Sequence, residues 1–309
     1  AQLVLKSTDL GKTWTEISPD LTRNIDEKQG KGGGPYTNEA VGAESYGTIS
    51  YLVESPHKAG VFYSGSDDGF VHITQDHGKA WQNITPKNLG ETLVNAIEVS
   101  PHDPATVYIA TTKYKLGDYT PALYKSNNYG KSWTNITKGI PNGAYTRVVR
   151  EDETTKGLLY AGTEQGVYIS FNDGASWEPF QLNLPVTPVL DLKVHRNDLI
   201  VATSGRSFWI LDNLSLLSQY QKNSNGFKLY TPEPIVYGNW GSAMSSNSFK
   251  GTQDFEGVNP VNGVELYYYL PSVSEDEAVT LTITNAAGKT INTLTSVKDE
   301  SYIPQKRRA

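Results

Sequence analysis

Ser7-Thr8-Asp9-Leu10-Gly11-Lys12-Thr13-Trp14 is the stretch whose reading decides the fold, because it recurs three more times. The copies are Thr74-Gln75-Asp76-His77-Gly78-Lys79-Ala80-Trp81, Ser126-Asn127-Asn128-Tyr129-Gly130-Lys131-Ser132-Trp133 and Ser170-Phe171-Asn172-Asp173-Gly174-Ala175-Ser176-Trp177. Four of the six tryptophans close the octet, which chance spacing does not produce. The octet has the chemistry of a hairpin turn. Its Asp or Asn is expected to accept from backbone N–H groups two residues on, and its Gly supplies a positive φ. The Ser/Thr hydroxyls add local bonds, and the Trp ring is expected to plug the space beneath the turn. Asn replaces Asp in two of the four copies, so these side chains read as turn chemistry, not as catalytic groups or metal ligands.

The sequence around the octets repeats as well. Alternating strands precede them (Phe70-Val71-His72-Ile73, Ala122-Leu123-Tyr124-Lys125, Val167-Tyr168-Ile169). Upstream, Val53-Glu54-Ser55-Pro56-His57 is echoed by Glu98-Val99-Ser100-Pro101-His102 and, more loosely, by Val149-Arg150-Glu151-Asp152. Four strands in about 45 residues is the period of a β-propeller blade. A fifth unit runs from Pro188 to Asp212 and lacks the octet.

The expected fold is therefore all-β: an incomplete propeller of about four to five four-stranded blades over residues 1–217. A connector is expected over 218–262. Strands at Val264–Leu270, Ala278–Thr284 and Thr290–Leu294 suggest the start of an immunoglobulin-like β-sandwich over 263–309. The first octet arrives at residue 7, and so few blades leave exposed edges. Further blades, from the same precursor or another chain, are expected as partners.

Composition narrows the function classes. Net charge is −6 with no basic stripe, which argues against nucleic acid. The final Lys306-Arg307-Arg308 reads as a solvated end. There are no cysteines, hence no disulfides and no thiolate chemistry. No run approaches the ~20 apolar residues of a membrane span. The five histidines show no paired ligand spacing, and no metal or cofactor is expected. Asp67-Asp68-Gly69 offers oxygens to Ca²⁺, but a hairpin turn with exposed carboxylates is the simpler reading. Gly32-Gly33-Gly34 is no phosphate loop, since no Gly-Lys-Ser/Thr follows.

These units resemble BNR/Asp-box propellers, shared by sialidases, xyloglucan-active glycoside hydrolases and sortilin-type ectodomains. Ser100-Pro101-His102-Asp103-Pro104, Tyr114-Lys115-Leu116, Arg147-Val148-Val149-Arg150-Glu151-Asp152 and Gly205-Arg206-Ser207-Phe208-Trp209-Ile210-Leu211-Asp212 look like large bacterial proteins described as sortilin-N-terminal-like or BNR-repeat glycosyl hydrolases, common in Bacteroidota. The resemblance implies an exported protein (periplasmic, cell-surface or secreted) that binds a protein, peptide or glycan ligand. The alternative it implies is a polysaccharide-active glycoside hydrolase.

In such a propeller the Asp-box turns lie away from the ligand face. Candidate ligand-binding residues are therefore those of the insertions and inner strands: Glu44, Tyr46, Tyr114, Lys115, Asp118, Tyr119, Arg147, Arg150, Asp191 and Arg206. Aromatics beside carboxylates and guanidinium groups suit a sugar ring or a peptide terminus. A glycosidase needs two carboxylates across a cleft. Glu44, Asp118, Glu151 and Asp191 are available, but no local motif pairs them.

Overall fold

The computed structural model describes residues 2–28, 46–220, 226–235, 263–271 and 277–297. The chain divides into two compact units, Ala1–Ser218 and Gln219–Ala309.

In the first unit every octet is a tight turn between two strands. The first joins β1 (Leu5–Lys6) to β2 (Thr15–Glu16) in a two-stranded ribbon. Three four-stranded antiparallel sheets follow. They are β3 (Ile49–Glu54), β4 (Phe62–Ser66), β5 (Val71–Thr74) and β6 (Gln82–Asn83); β7 (Leu93–Val99), β8 (Val107–Lys113), β9 (Asp118–Ser126) and β10 (Thr134–Asn135); and β11 (Thr146–Glu151), β12 (Leu159–Thr163), β13 (Gly166–Ser170) and β14 (Glu178–Pro179). The unit without an octet is a three-stranded sheet of β15 (Val189–His195), β16 (Asp198–Thr203) and β17 (Phe208–Leu211).

The first strands of successive sheets pack side by side, β3 on β7, β7 on β11 and β11 on β15. Apolar faces meet between the sheets: Val71, Ile73, Val107 and Ile109 lie in one buried cluster. Tyr108, Val149, Tyr160 and Leu192 lie in another. Sheets stacked face to face around their first strands are the blades of a β-propeller.

The octet works differently from its expected form in two ways. The Asp9 carboxylate accepts from the Thr13 N–H at 2.9 Å, four residues on, and from the Ser7 hydroxyl, while Ser7 Oγ accepts from Gly11 N–H at 2.8 Å. Asp76, Asn128 and Asn172 bond in the same way to Ala80, Ser132 and Ser176. The Thr13 amide, Thr13 hydroxyl and Ser7 hydroxyl hold the Asp9 carboxyl down to about 2.

The second difference is the tryptophan. In the complete blades its indole N–H reaches beyond its own turn and latches onto the blade before. Trp81 Nε1 donates to Ile17 O at 2.8 Å, Trp133 Nε1 to Ile84 O at 2.6 Å, and Trp177 Nε1 to Ile136 O. Gly78, Gly130 and Gly174 press on the same isoleucines at φ of +88°, +81° and +82°, where a Cβ would come within 2.4–2.8 Å of the neighbouring chain. Trp14 follows the expected local pattern instead, donating to Gly11 O.

In the second unit β18 (Lys228–Leu229) pairs with β19 (Tyr268–Tyr269), and β20 (Thr280–Thr284) pairs with β21 (Thr290–Thr295). The hairpin expected at Asn285–Lys289 is present. The long strand expected at Val264–Leu270 is reduced to two residues, paired away from that hairpin, and the described residues form two two-stranded sheets with no immunoglobulin-like sandwich among them. A short helix, α1 (Ser215–Gln219), leads into the polar stretch after Leu217.

Candidate functional site

Antiparallel blades have two ends, and hydrogen bonds between turns show which loops share each one. At one end the octet turn touches the first-to-second-strand turn of its own blade: His77 N–H donates to Gly60 O, Tyr129 N–H to Ala105 O and Asp173 N–H to Gly157 O. At the other end the second-to-third-strand turn touches the entry to the first strand: Asp67 N–H donates to Thr48 O, Glu164 N–H to Tyr145 O and Ser204 N–H to Pro188 O. The insertions after β8 and before β11 therefore lie opposite the octets.

Each first strand carries a register irregularity near its start, leaving Ser50, Asn95, Arg147 and Leu190 as the extra residue. A bulge re-aims its side chain. Ser50 Oγ donates to Val94 O at 2.7 Å and Asn95 Nδ2 to Thr146 O at 3.1 Å, each reaching the next blade. Arg147 departs from this pattern. Its Nε and Nη2 donate to Glu164 Oε2 at 2.9 and 2.7 Å, and its Nη2 also donates to the Tyr145 hydroxyl at 3.2 Å.

Around Arg147 the blades build a tyrosine shelf. Tyr145 is buried, and the Tyr114 ring stacks on it at 5.6 Å and 16°. The Arg147 guanidinium lies 5.2 Å from the Tyr145 ring centre and 5.7 Å from that of Tyr114. Tyr119 leans on Tyr145 at 5.9 Å and is 50% exposed, so much of its ring is open to solvent. Lys115 and Asp118 flank the shelf as exposed, opposite charges. The Thr120 amide and hydroxyl hold the Asp118 carboxyl below the usual range.

A second group forms where four first strands run side by side. Arg150 Nη2 donates to the Tyr51 hydroxyl at 3.1 Å and to Asp191 Oδ1 at 2.7 Å, Nη1 reaches Glu98 Oε2 at 3.4 Å, and Nε donates to Leu192 O at 2.7 Å. One side chain from each of β3, β7, β11 and β15 thus meets at a guanidinium that is 7% exposed. Asp191 is 62% exposed and Glu98 22%. Burial pushes the Glu98 carboxyl up to about 7, against the attraction of Arg150 and Lys193.

Of the expected ligand-binding residues, Tyr114, Tyr119 and Arg147 come together, flanked by Lys115 and Asp118. Arg150 and Asp191 meet in the second group. Arg206 joins neither; it sits exposed on the β16–β17 turn, where its carbonyl accepts from Trp209 Nε1. Tyr46 is 3% exposed, its hydroxyl donating to Glu91, so it packs the entry to the blades and presents little surface to a ligand. Glu44 lies outside the described residues, as does Gly32–Gly34. Glu151 is buried, with Oε1 accepting from Gly157 N–H.

Sequence reasoning missed Tyr51, Glu98, Tyr145 and Glu164. The β11–β12 register, Thr146 with Thr163, is what carries Glu164 to Arg147.

The carboxylates of Asp67 and Asp68 are not exposed turn groups as expected. Asp67 Oδ1 accepts from the Gly47 and Thr48 amides, and Asp68, fully buried, accepts from the Ser66 hydroxyl and the Arg23 amide. These donors take Asp67 Oδ1 and both oxygens of Asp68. Among the described residues no three His, Asp or Glu side chains gather as a metal site.

No family model matches the chain. A probable oligoxyloglucan-reducing end-specific xyloglucanase of Neosartorya fischeri is 24% identical over 243 residues, 68% of this chain and 28% of that protein. Its counterpart in Emericella nidulans is 23% identical over 246 residues, 69% of this chain and 29% of that protein. The chain thus spans less than a third of the length of these curated relatives. Among solved structures, an ancestral GH74 enzyme aligns with 95% of this chain and 35% of its own at 13% identity and a TM-score of 0.47. YCF48 bound to D1 peptide aligns with 52% of this chain and 55% of its own at 13% identity and a TM-score of 0.39. Among the described residues no helix is long and apolar enough to cross a membrane.

Proposed function

We propose that this chain is the ligand-recognition part of an exported, sortilin-like BNR-repeat propeller, engaging a protein, peptide or glycan at the end of the blades opposite the octets. The observation that carries this reading is the shelf of Tyr114, Tyr119, Tyr145, Arg147 and Glu164. It is an open aromatic surface with polar groups beside it, made where the repeat breaks its own rule at Arg147. At the octet end the Asp and Asn side chains are consumed by their own turns.

The curated relatives are named as enzymes acting on oligoxyloglucan, which supports a saccharide among the three ligand classes. Binding of the chain to panels of polysaccharides and peptides tests the proposal. The doubly substituted Tyr114→Ala/Tyr119→Ala protein is expected to lose binding while Lys131→Ala at the octet end keeps it. Equal binding by all three proteins would overturn it.

A second reading, glycoside hydrolysis, is favoured by one observation. Glu98 and Asp191 share the Arg150 guanidinium, which brings together two carboxyl groups of the kind a glycosidase pairs across its cleft. Their environments also differ: Glu98 is mostly buried and holds its proton near neutrality, while Asp191 is open. Release of reducing ends that is abolished by both Glu98→Gln and Asp191→Asn would establish this reading; no release from any polysaccharide would remove it.

A further inference from the structure

We propose that the tyrosine shelf between β8–β9 and the start of β11 is a subsite for an uncharged saccharide ring, with Tyr119 as its stacking face. This rests on the proposed function's placement of the ligand opposite the octets, and it selects one ligand class for that face.

The argument begins with shape. A pyranose presents an apolar C–H face and a rim of hydroxyls, so it needs a flat aromatic surface with donors and acceptors at its edge. Tyr145 is buried and fixes Tyr114 parallel to it, which makes the shelf rigid. Tyr119 stands half out of that support, with its ring available. Arg147 and Glu164 lie at the same rim with side chains 21% and 30% exposed, enough to meet hydroxyl groups without leaving each other.

Charge then selects the class. Arg147 is bound through two nitrogens to one Glu164 oxygen. Asp118 on the flank sits opposite Lys113, whose charge attracts it, with Lys115 exposed beside it. The guanidinium at the rim therefore has its charge already committed. A carboxylated sugar would have to pull Arg147 from Glu164 and strand a half-buried carboxylate, which costs more than the new pair returns. An uncharged ring asks for no such sacrifice.

Affinity electrophoresis of the 309-residue chain, run through gels holding neutral β-glucan, xylan or galactomannan and through polygalacturonate, tests the inference. The wild-type protein is expected to be retarded by at least one neutral polysaccharide and not by polygalacturonate. Tyr119→Ala, at an exposed position, is expected to weaken that retardation about tenfold with an unchanged melting curve. Glu164→Gln frees the guanidinium and is expected to add affinity for polygalacturonate.

No retardation by any neutral polysaccharide, a preference for polygalacturonate, or retardation indifferent to Tyr119→Ala would each overturn the inference. Peptide binding lost in Tyr114→Ala/Tyr119→Ala would overturn the saccharide class while leaving the ligand face standing. A ligand held equally by that double variant would overturn both.

Discussion

The two ends of these blades are built from the same strands and behave differently. At the octet end one set of bonds recurs: Ser7, Asp9 and Thr13 close one turn, and the tryptophans and glycines of later octets clamp the preceding blade. Every blade solves the same problem, so the same residues recur. At the opposite end Arg147 bonds to Glu164 and Tyr145, and Lys28 to Glu91. No two blades share that arrangement. Backbone geometry repeats and so can be written as a motif; a ligand surface has to be singular. The contrast is the basis for proposing structure at the repeated end and recognition at the irregular one.

The largest effect expected from probing this contrast lies between the ends. Replacing Arg150 by Met leaves Glu98 and Asp191 facing each other and removes the bond from Tyr51. Breaking such a buried ionic group costs about 3–5 kcal/mol, and urea denaturation should show that loss. A loss below about 1 kcal/mol would mean that the four first strands do not depend on this arginine.

Gly130→Ala probes the octet end. Its φ of +81° and the 2.4 Å approach of a Cβ to Ile84 predict a loss of about 2–3 kcal/mol. By contrast Gly117→Ala, at φ +75° in open space after Tyr114–Leu116, meets only backbone strain and should cost about 1 kcal/mol. Equal losses at the two positions would dissolve the distinction between a clamped turn and a free one.

Glu98 supplies a smaller, pH-dependent effect. Its folded value of about 7 exceeds the ordinary 4.5, so between those values the folded state holds a proton that the unfolded state has released. Stability contributed by this group is present below about pH 4.5 and is lost as pH rises toward 7. Glu98→Gln should remove that slope, making the variant relatively more stable at pH 8 than at pH 4 by about 3 kcal/mol. Parallel pH profiles for the two proteins would contradict the assignment.

The octets made the blades legible because turn chemistry is local: Asp, Gly and Trp lie within eight residues. The missing octet after Asp212 likewise marked the three-stranded sheet. What the sequence hid was the reach of each side chain. Nothing near Trp133 says that its indole belongs to Ile84 O, 49 residues earlier. The proposed site was half legible for the same reason. Tyr114, Tyr119 and Arg147 announced themselves by type, whereas Glu164 lies in the turn between β12 and β13, and only the β11–β12 register brings it to Arg147. Glu98 sits in an echo of the Ser-Pro-His motif and reads as part of the repeat. Asp68 misled because acidic turn residues are usually solvated, and here the Arg23 amide and Ser66 hydroxyl bury it.

The central claim, that recognition belongs to the end where the repeat fails, is tested most directly by ligand titration of matched variants. Tyr119→Ala at the irregular end and Lys131→Ala at the octet end are both surface changes, each expected to alter stability by less than about 0.5 kcal/mol. Isothermal titration with whichever neutral polysaccharide retards the protein should give about tenfold weaker binding for Tyr119→Ala and an unchanged Kd for Lys131→Ala. The reverse order, or two unchanged constants, would contradict the account.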